Sequence, residues 1–283
     1  MTTLDTYPLL PGSRTIELIR PDFPRGRLRA ALFDFDGTVS LIRAGWPDVM
    51  VPLLTDELAK APRAEDRATL EVVVREWVDR LTGKQTIYQM IALAEAITAR
   101  GGVPEDPLVY KRRYLEALDA HIAWRLEGLR DGRIAPDDLR VPGVYDLIVN
   151  LRARGITCYL ASGTDLPYVQ AAAEALGVAE LFDGGIGGAL DDYRSFSKAI
   201  VIQRILEDHG LHGPELVAFG DGYVEIENTV AVGGIAVGAA TDELVRGGLD
   251  AWKRNRLIGV GANLLAPDFR EQERLVAWLC GAG

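Results

Sequence analysis

Cysteine is almost missing from this sequence: Cys158 and Cys280 are the only two, and neither lies in a CxxC pair or any other metal-ligand spacing. That argues against a disulfide framework and against a structural zinc site. Cys158 falls in the apolar run Ile156-Thr157-Cys158-Tyr159-Leu160 and reads as a buried structural thiol. Histidine is nearly as scarce. His121 sits in a helical pattern, and His209 and His212 flank Gly210 as a helix end and a loop, so none of the three is expected to be catalytic. Long apolar runs are also lacking. No segment reaches the roughly 18 residues of a membrane span, and Pro8, Pro11, Pro21 and Pro24 interrupt the first thirty residues. Finally there is no excess of positive charge, because 31 Lys and Arg stand against 41 Asp and Glu, a net charge of −10. A protein that coats nucleic acid or lies on a membrane surface needs clustered Lys and Arg, so neither partner is expected. The cytoplasm is the expected location.

What the sequence does hold is enough apolar material for a sizeable core, at 48% hydrophobic residues. Residues 28–36 form a short apolar run that ends in carboxylates, as a buried parallel strand does when its C-terminal end faces a site. Three later runs repeat the arrangement. Ile156 to Leu160 precedes Ala161-Ser162-Gly163-Thr164-Asp165, Leu216 to Phe219 precedes Gly220-Asp221-Gly222, and Gly234 to Gly238 precedes Ala239-Ala240-Thr241-Asp242. Helical patterns over about 143–154, 166–176 and 197–209 alternate with them, which predicts an α/β fold with a doubly wound, mostly parallel sheet. The small and acidic residues place a site along one edge of that sheet. Thr15 to Ile19 and Arg256 to Ala262 are expected as further strands, and Phe269 to Leu279 as a closing helix.

Residues 46–140 differ. Leu70, Val73-Val74, Trp77-Val78 and Leu81 recur at helical spacing, as do Met90-Ile91, Ala94 and Ile97, then Tyr110, Tyr114, Leu118 and Ile122, with no strand run among them. An all-α domain at 46–140, inserted into a core formed by 1–45 and 141–283, is expected. Trp77 and Trp124 are read as packing residues. No internal repeat or low-complexity segment stands out.

The run Asp34-Phe35-Asp36-Gly37-Thr38 by itself is compatible with a solvated acidic turn. The order of the later residues is more restrictive: Ser162 after a second strand, Lys198 opening a later helix, and Gly220-Asp221 with Glu225 after a third strand. Together these resemble the four motifs of the haloacid dehalogenase superfamily, over about 28–45 and 141–265. A helical insertion between the first and second motifs is similar to the cap of phosphoglycolate phosphatases and β-phosphoglucomutases.

The resemblance implies a phosphohydrolase, and each residue type has a chemical reason to be present. A carboxylate can accept a phosphoryl group as an aspartyl phosphate, the expected role of Asp34. Asp36, two positions on and projecting to the same side of an extended chain, can protonate the leaving alcohol and then deprotonate water. Ser162, the main-chain N–H at Gly163, and Lys198 are expected to bind the phosphoryl oxygens, with Lys198 also holding Asp34. Asp34, Asp221 and Glu225 need a cation among them, and their all-oxygen set suits Mg²⁺, with the Asp36 carbonyl as a further ligand and Glu225 acting through water. Glu227 is a nearby competitor for the role of Glu225.

The cap would select a small phosphorylated metabolite, of the sugar phosphate or phosphoglycolate type. Lys84 and Gln85, in the loop Leu81 to Thr86, are candidate contacts or simply a solvated turn. Arg43, where the chain leaves the core, is another candidate, and Gly45, Pro47 and Pro142-Gly143 are candidate hinges. A phosphomutase would use the same motif residues, and a non-catalytic binding protein on this fold is a third reading.

Overall fold

Ala30–Phe33 is an interior strand of the sheet in a computed structural model that describes residues 6–190 and 195–282. Its four residues are all buried, and neighbouring side chains point into different apolar clusters: Ala31 and Phe33 into one, Ala30 and Leu32 into another. That alternation is what a strand covered on both faces requires. In chain order the strands are β1 (Glu17–Leu18), β2 (Ala30–Phe33), β3 (Thr157–Asp165), β4 (Gly185–Ala189), β5 (Leu216–Gly220), β6 (Ile235–Ala239) and β7 (Leu264–Ala266). They form one sheet in the order β1-β7-β6-β5-β2-β3-β4, parallel throughout except for β1 against β7. Phe33 and Phe219 stack with ring centroids 4.6 Å apart beside β2 and β5, and Phe269 meets Phe219 edge-on. Each such ring contributes about 1.5–3 kcal/mol by its burial.

Five α-helices lie between β2 and β3, the first four being α1 (Pro47–Leu58), α2 (Arg67–Leu81), α3 (Ile87–Ala99) and α4 (Pro107–Arg130). Asp66 and Asp106 cap α2 and α4 by accepting hydrogen bonds from main-chain N–H groups of Thr69 and Leu108. Tyr110, Tyr114, Leu118 and Ile122 form one buried stripe along α4, spaced as a helix face demands. Trp77 is buried, whereas Trp124 is 56% exposed with the Arg125 guanidinium 5.2 Å over its ring. The packing role expected for Trp124 is therefore corrected, because its place on α4 lies outside the buried stripe.

The remaining helices are α5 (Val144–Arg152), α6 (Leu166–Ala175), α7 (Lys198–His209), α8 (Tyr223–Ala231), α9 (Ala251–Gly259) and α10 (Gln272–Leu279). The strand expected over 256–262 is corrected by α9. Asp250 caps that helix by accepting from the Lys253 N–H, and the buried Lys253, Arg254 and Leu257 share one helical face. The next strand in the chain is β7. The sequence pattern also passes over β4, whose Gly-Ile-Gly-Gly-Ala carries little intrinsic strand preference and is held by pairing with β3. Among the described residues no helix is long and apolar enough to cross a membrane.

Candidate active site

Strand register brings the motif residues together. Phe33 is paired with Leu160 on one side and Phe219 on the other, so Asp34 and Asp221 emerge just past the carboxyl ends of β2 and β5, beside Ser162 in the carboxyl-terminal half of β3. Asp34 is almost fully buried, and its Oδ1 accepts from the Phe35 N–H at 2.8 Å. Ser197 caps α7 by accepting from the Ile200 N–H, which fixes Lys198 as the first residue of the helix. From there the Lys198 Nζ reaches Asp34 Oδ1 at 2.8 Å and Glu225 Oε2 at 2.7 Å.

Glu225 stands in the first turn of α8. Its other oxygen accepts from the Gly222 N–H at 2.8 Å, so helix capping and the ion pair hold both ends of the carboxylate. Glu227 is exposed, whereas Glu225 is buried beside Asp34 and Asp221. Asp36 is held differently, since its Oδ2 accepts from the Thr164 hydroxyl at 2.8 Å and its Oδ1 faces Arg43 at 3.3 Å. The Ser162 hydroxyl accepts from the Thr164 N–H at 3.1 Å at the pocket wall, beside Gly163.

Three contributors escaped the sequence reading. Thr164 is one. The other two are Lys253 and Glu243: the Lys253 ammonium lies 2.8 Å from Asp221 Oδ2 and 2.6 Å from Glu243 Oε1. A signal for Glu243 existed, because it lies just beyond the carboxyl end of β6, whereas Lys253 carried none, lying just ahead of the segment expected as a strand.

The electrostatics are those of a crowded acidic pocket. Burial pushes the Asp34 carboxyl well above the ordinary range, Lys198 pulls it back, and Glu225 and Asp221 push it up again. Burial alone lowers the Lys198 ammonium, but Asp34 and Glu225 outweigh it and leave the lysine charged more firmly than usual. Lys253 behaves the same way between Asp221 and Glu243. Within the cluster, Asp34, Asp36, Asp221, Glu225 and Glu243 make five carboxylates, and Lys198, Lys253 and Arg43 make three cations. With all five ionised, as beside a bound cation, two negative charges would be left over, the charge of one divalent ion. Asp34, Asp221 and Glu225 each offer an oxygen within 4.8 Å of the others, so the donor set fits such an ion.

The inserted helices close over these groups. Gly83 and Gly163 show how near the loop comes: a Cβ at Gly163 would stand 3.0 Å from the Lys84 carbonyl oxygen, and one at Gly83 3.3 Å from the Gly222 Cα. Arg256 of α9 donates to the carbonyls of Asp79, Arg80 and Thr82, and Lys111 of α4 pairs with Asp165 at 2.7 Å. Lys84 is exposed at the pocket rim, its Nζ 5.6 Å from the Tyr88 ring centre. The Gln85 amide is turned away, donating to the Phe196 carbonyl at 2.7 Å, so its expected role as a substrate contact is replaced by one that holds the loop.

The molecule is an α/β protein with an acidic pocket at the carboxyl ends of parallel strands, beneath the helices that follow β2. The chain belongs to the haloacid dehalogenase-like hydrolases, whose family model matches residues 28–231. Similar solved structures include a haloacid dehalogenase-like protein from Agrobacterium tumefaciens, 17% identical with a TM-score of 0.59, covering 89% of this chain and 98% of that one. A phosphonoacetaldehyde hydrolase like protein from Oleispira antarctica is 12% identical with a TM-score of 0.61, covering 92% of this chain and 95% of its own. A β-phosphoglucomutase from Clostridium difficile is 14% identical with a TM-score of 0.56, covering 89% and 98%. No curated protein sequence matches. At these identities the likeness is one of fold, and the neighbours' names span different reactions.

Proposed function

We propose that the chain is a magnesium-dependent phosphatase that hydrolyses a small-molecule phosphomonoester through a phosphorylated Asp34. The observation that carries this reading is the fixed pair of carboxylates at Asp34 and Asp36. Asp34 is oriented by Lys198 and the Phe35 N–H, and Asp36 by Thr164 and Arg43. Asp34 attacks phosphorus and its carboxylate oxygen gains the phosphoryl group as the ester oxygen leaves. Asp36 gives that oxygen a proton, then takes one from the water that cleaves the aspartyl phosphate. Ser162, the Gly163 N–H and Lys198 bind the phosphoryl oxygens. The Asp34 and Asp221 carboxylates and the Asp36 carbonyl would hold Mg²⁺, with Glu225 acting through water. When bound, the ion supplies positive charge to the phosphoryl oxygens.

The four inserted helices serve as a cap that excludes water from the transfer step. A phosphomutase would need, beyond the same motifs, a second hydroxyl of the bound sugar presented to Asp34, and no observation favours that reading over hydrolysis.

The test is release of inorganic phosphate from an aryl phosphate and from a panel of metabolite phosphates, with and without Mg²⁺. Magnesium-dependent release is expected. Its absence on every substrate ends the phosphatase reading, and accumulation of an isomeric phosphate in its place selects the mutase.

A further inference from the structure

The pocket has two halves of opposite character. Charged groups of the core form its floor. Its roof is formed by Trp46 and Met50 of the α1 end and by Tyr114, Leu115 and Leu118 of α4. Met50, Tyr114 and Leu118 are buried and Trp46 and Leu115 half-buried, so the inner part of the roof belongs to the packed interior. About 110 Å³ of space lies between the halves, so a group that fills it touches both floor and roof.

Two of the polar cap residues that line the pocket, Thr82 and Gln89, are occupied by the cap's own backbone, and the exposed Lys84 stands at the outer rim. The Thr82 hydroxyl donates to the Val78 carbonyl at 2.9 Å, and the Gln89 amide, in the orientation that satisfies both its ends, donates to the carbonyls of Thr86 and Gln85 at 2.9 and 3.2 Å. The Arg43 guanidinium faces Asp36. A hydroxyl-rich skeleton pressed against this roof would leave its hydroxyls short of partners, and each unpaired one costs about 1–3 kcal/mol.

Resting on the phosphatase reading above, we infer that the substrate is a phosphomonoester of an apolar alcohol, alkyl or aryl, and not of a sugar or other polyol. The floor binds the phosphate, and Trp46, Met50, Tyr114, Leu115 and Leu118 bind the carbon skeleton. This narrows the class expected from sequence, in which sugar phosphate and phosphoglycolate stood first.

Binding of phosphonates, which cannot be hydrolysed, tests the inference apart from turnover. Isothermal titration of the full chain in Mg²⁺ would compare butylphosphonate and benzylphosphonate with 2,3-dihydroxypropylphosphonate, a ligand of similar size. The apolar pair is expected to bind at least tenfold more tightly, and Leu115→Asn, at a half-buried position, to shrink that ratio several-fold. Equal affinity, tighter binding of the hydroxylated ligand, or no detectable binding of the apolar pair overturns the inference.

Hydrolysis supplies the second arm, in which kcat/KM for benzyl phosphate should exceed that for glycerol 1-phosphate and glucose 6-phosphate at least tenfold. Faster cleavage of the polyol phosphates leaves the phosphatase reading intact and overturns this one. Apolar preference in binding with no hydrolysis of any phosphate removes the phosphatase reading while the apolar specificity of the pocket stands.

Discussion

The Lys198 ammonium lies 2.8 Å from Asp34 Oδ1, with both side chains less than one-tenth exposed, and the same nitrogen reaches Glu225. One lysine thereby neutralises two buried carboxylates on two different elements, β2's end and α8. Lys198→Met strands both, and removing one partner from a buried ion pair costs about 3–5 kcal/mol. Urea denaturation should register that loss, and phosphate release should fall below detection.

Asp34→Asn tests the nucleophile and, separately, the strain of burying it. The folded state raises the Asp34 carboxyl above its unfolded value, mainly through burial. The native protein therefore holds a proton that the unfolded chain has already released, and stability falls as pH climbs from the ordinary aspartate range of about 4 through the raised value. Without metal, the Asp34→Asn variant should melt at a higher temperature than the wild type at neutral pH. The difference should vanish toward acid pH. Turnover should be abolished at every pH.

Gly37→Ala should damage the site more than the fold. Gly37 has φ +75°, where a Cβ costs about 1–2 kcal/mol, and that Cβ would stand 2.1 Å from Asp221 Oδ2. Asp221 must then move. Mg²⁺ affinity, measured by calorimetry, is expected to weaken by at least tenfold, with a loss of only a few degrees in Tm.

Lys253→Met removes the cation shared by Asp221 and Glu243. A cost of about 3 kcal/mol is expected in metal-free buffer, at the low end for a buried pair because both carboxylates keep some contact with solvent. Saturating Mg²⁺ should recover part of it, since an ion bound beside Asp221 replaces the missing charge and stabilises the native state by mass action. Denaturation with and without MgCl₂ measures the recovery.

Arg256→Ala frees the end of α2. The guanidinium donates to the carbonyls of Arg80 and Thr82 at 3.0 and 3.1 Å and packs over Tyr223 at 4.6 Å, tying the 82–86 loop to the core. Hydrogen exchange at the amides of 82–86 should quicken. KM should rise by more than kcat falls, because the roof closes less well over a site whose own groups are unchanged.

Much of this site was legible from residue order. Asp34, Ser162 and Asp221 each come after an apolar run, and a run of that kind in a parallel sheet has one outcome, a carboxyl end opening on the same edge as its neighbours. Lys198 was legible only through the others, since a lysine at a helix start is ordinarily solvated. The choice between Glu225 and Glu227 needed the helix: residue 225 stands where its side chain returns to the Gly222 N–H and meets Lys198, while two positions on the α8 surface has turned to solvent.

The sequence by itself placed β2, β3, β5 and β6, the small and acidic residues at or after their ends, and the run of helices after β2, because hydrophobic periodicity and turn residues act over a few positions of chain. Only the tertiary structure decided that Lys253 serves Asp221, that Thr164 and Arg43 hold Asp36, and that Gln85 supports its loop. It also decided that the roof over Asp34 is apolar. Those pairings join residues 7 to 128 positions apart, and a hydrogen bond or ion pair depends on distances in space that local patterning does not encode.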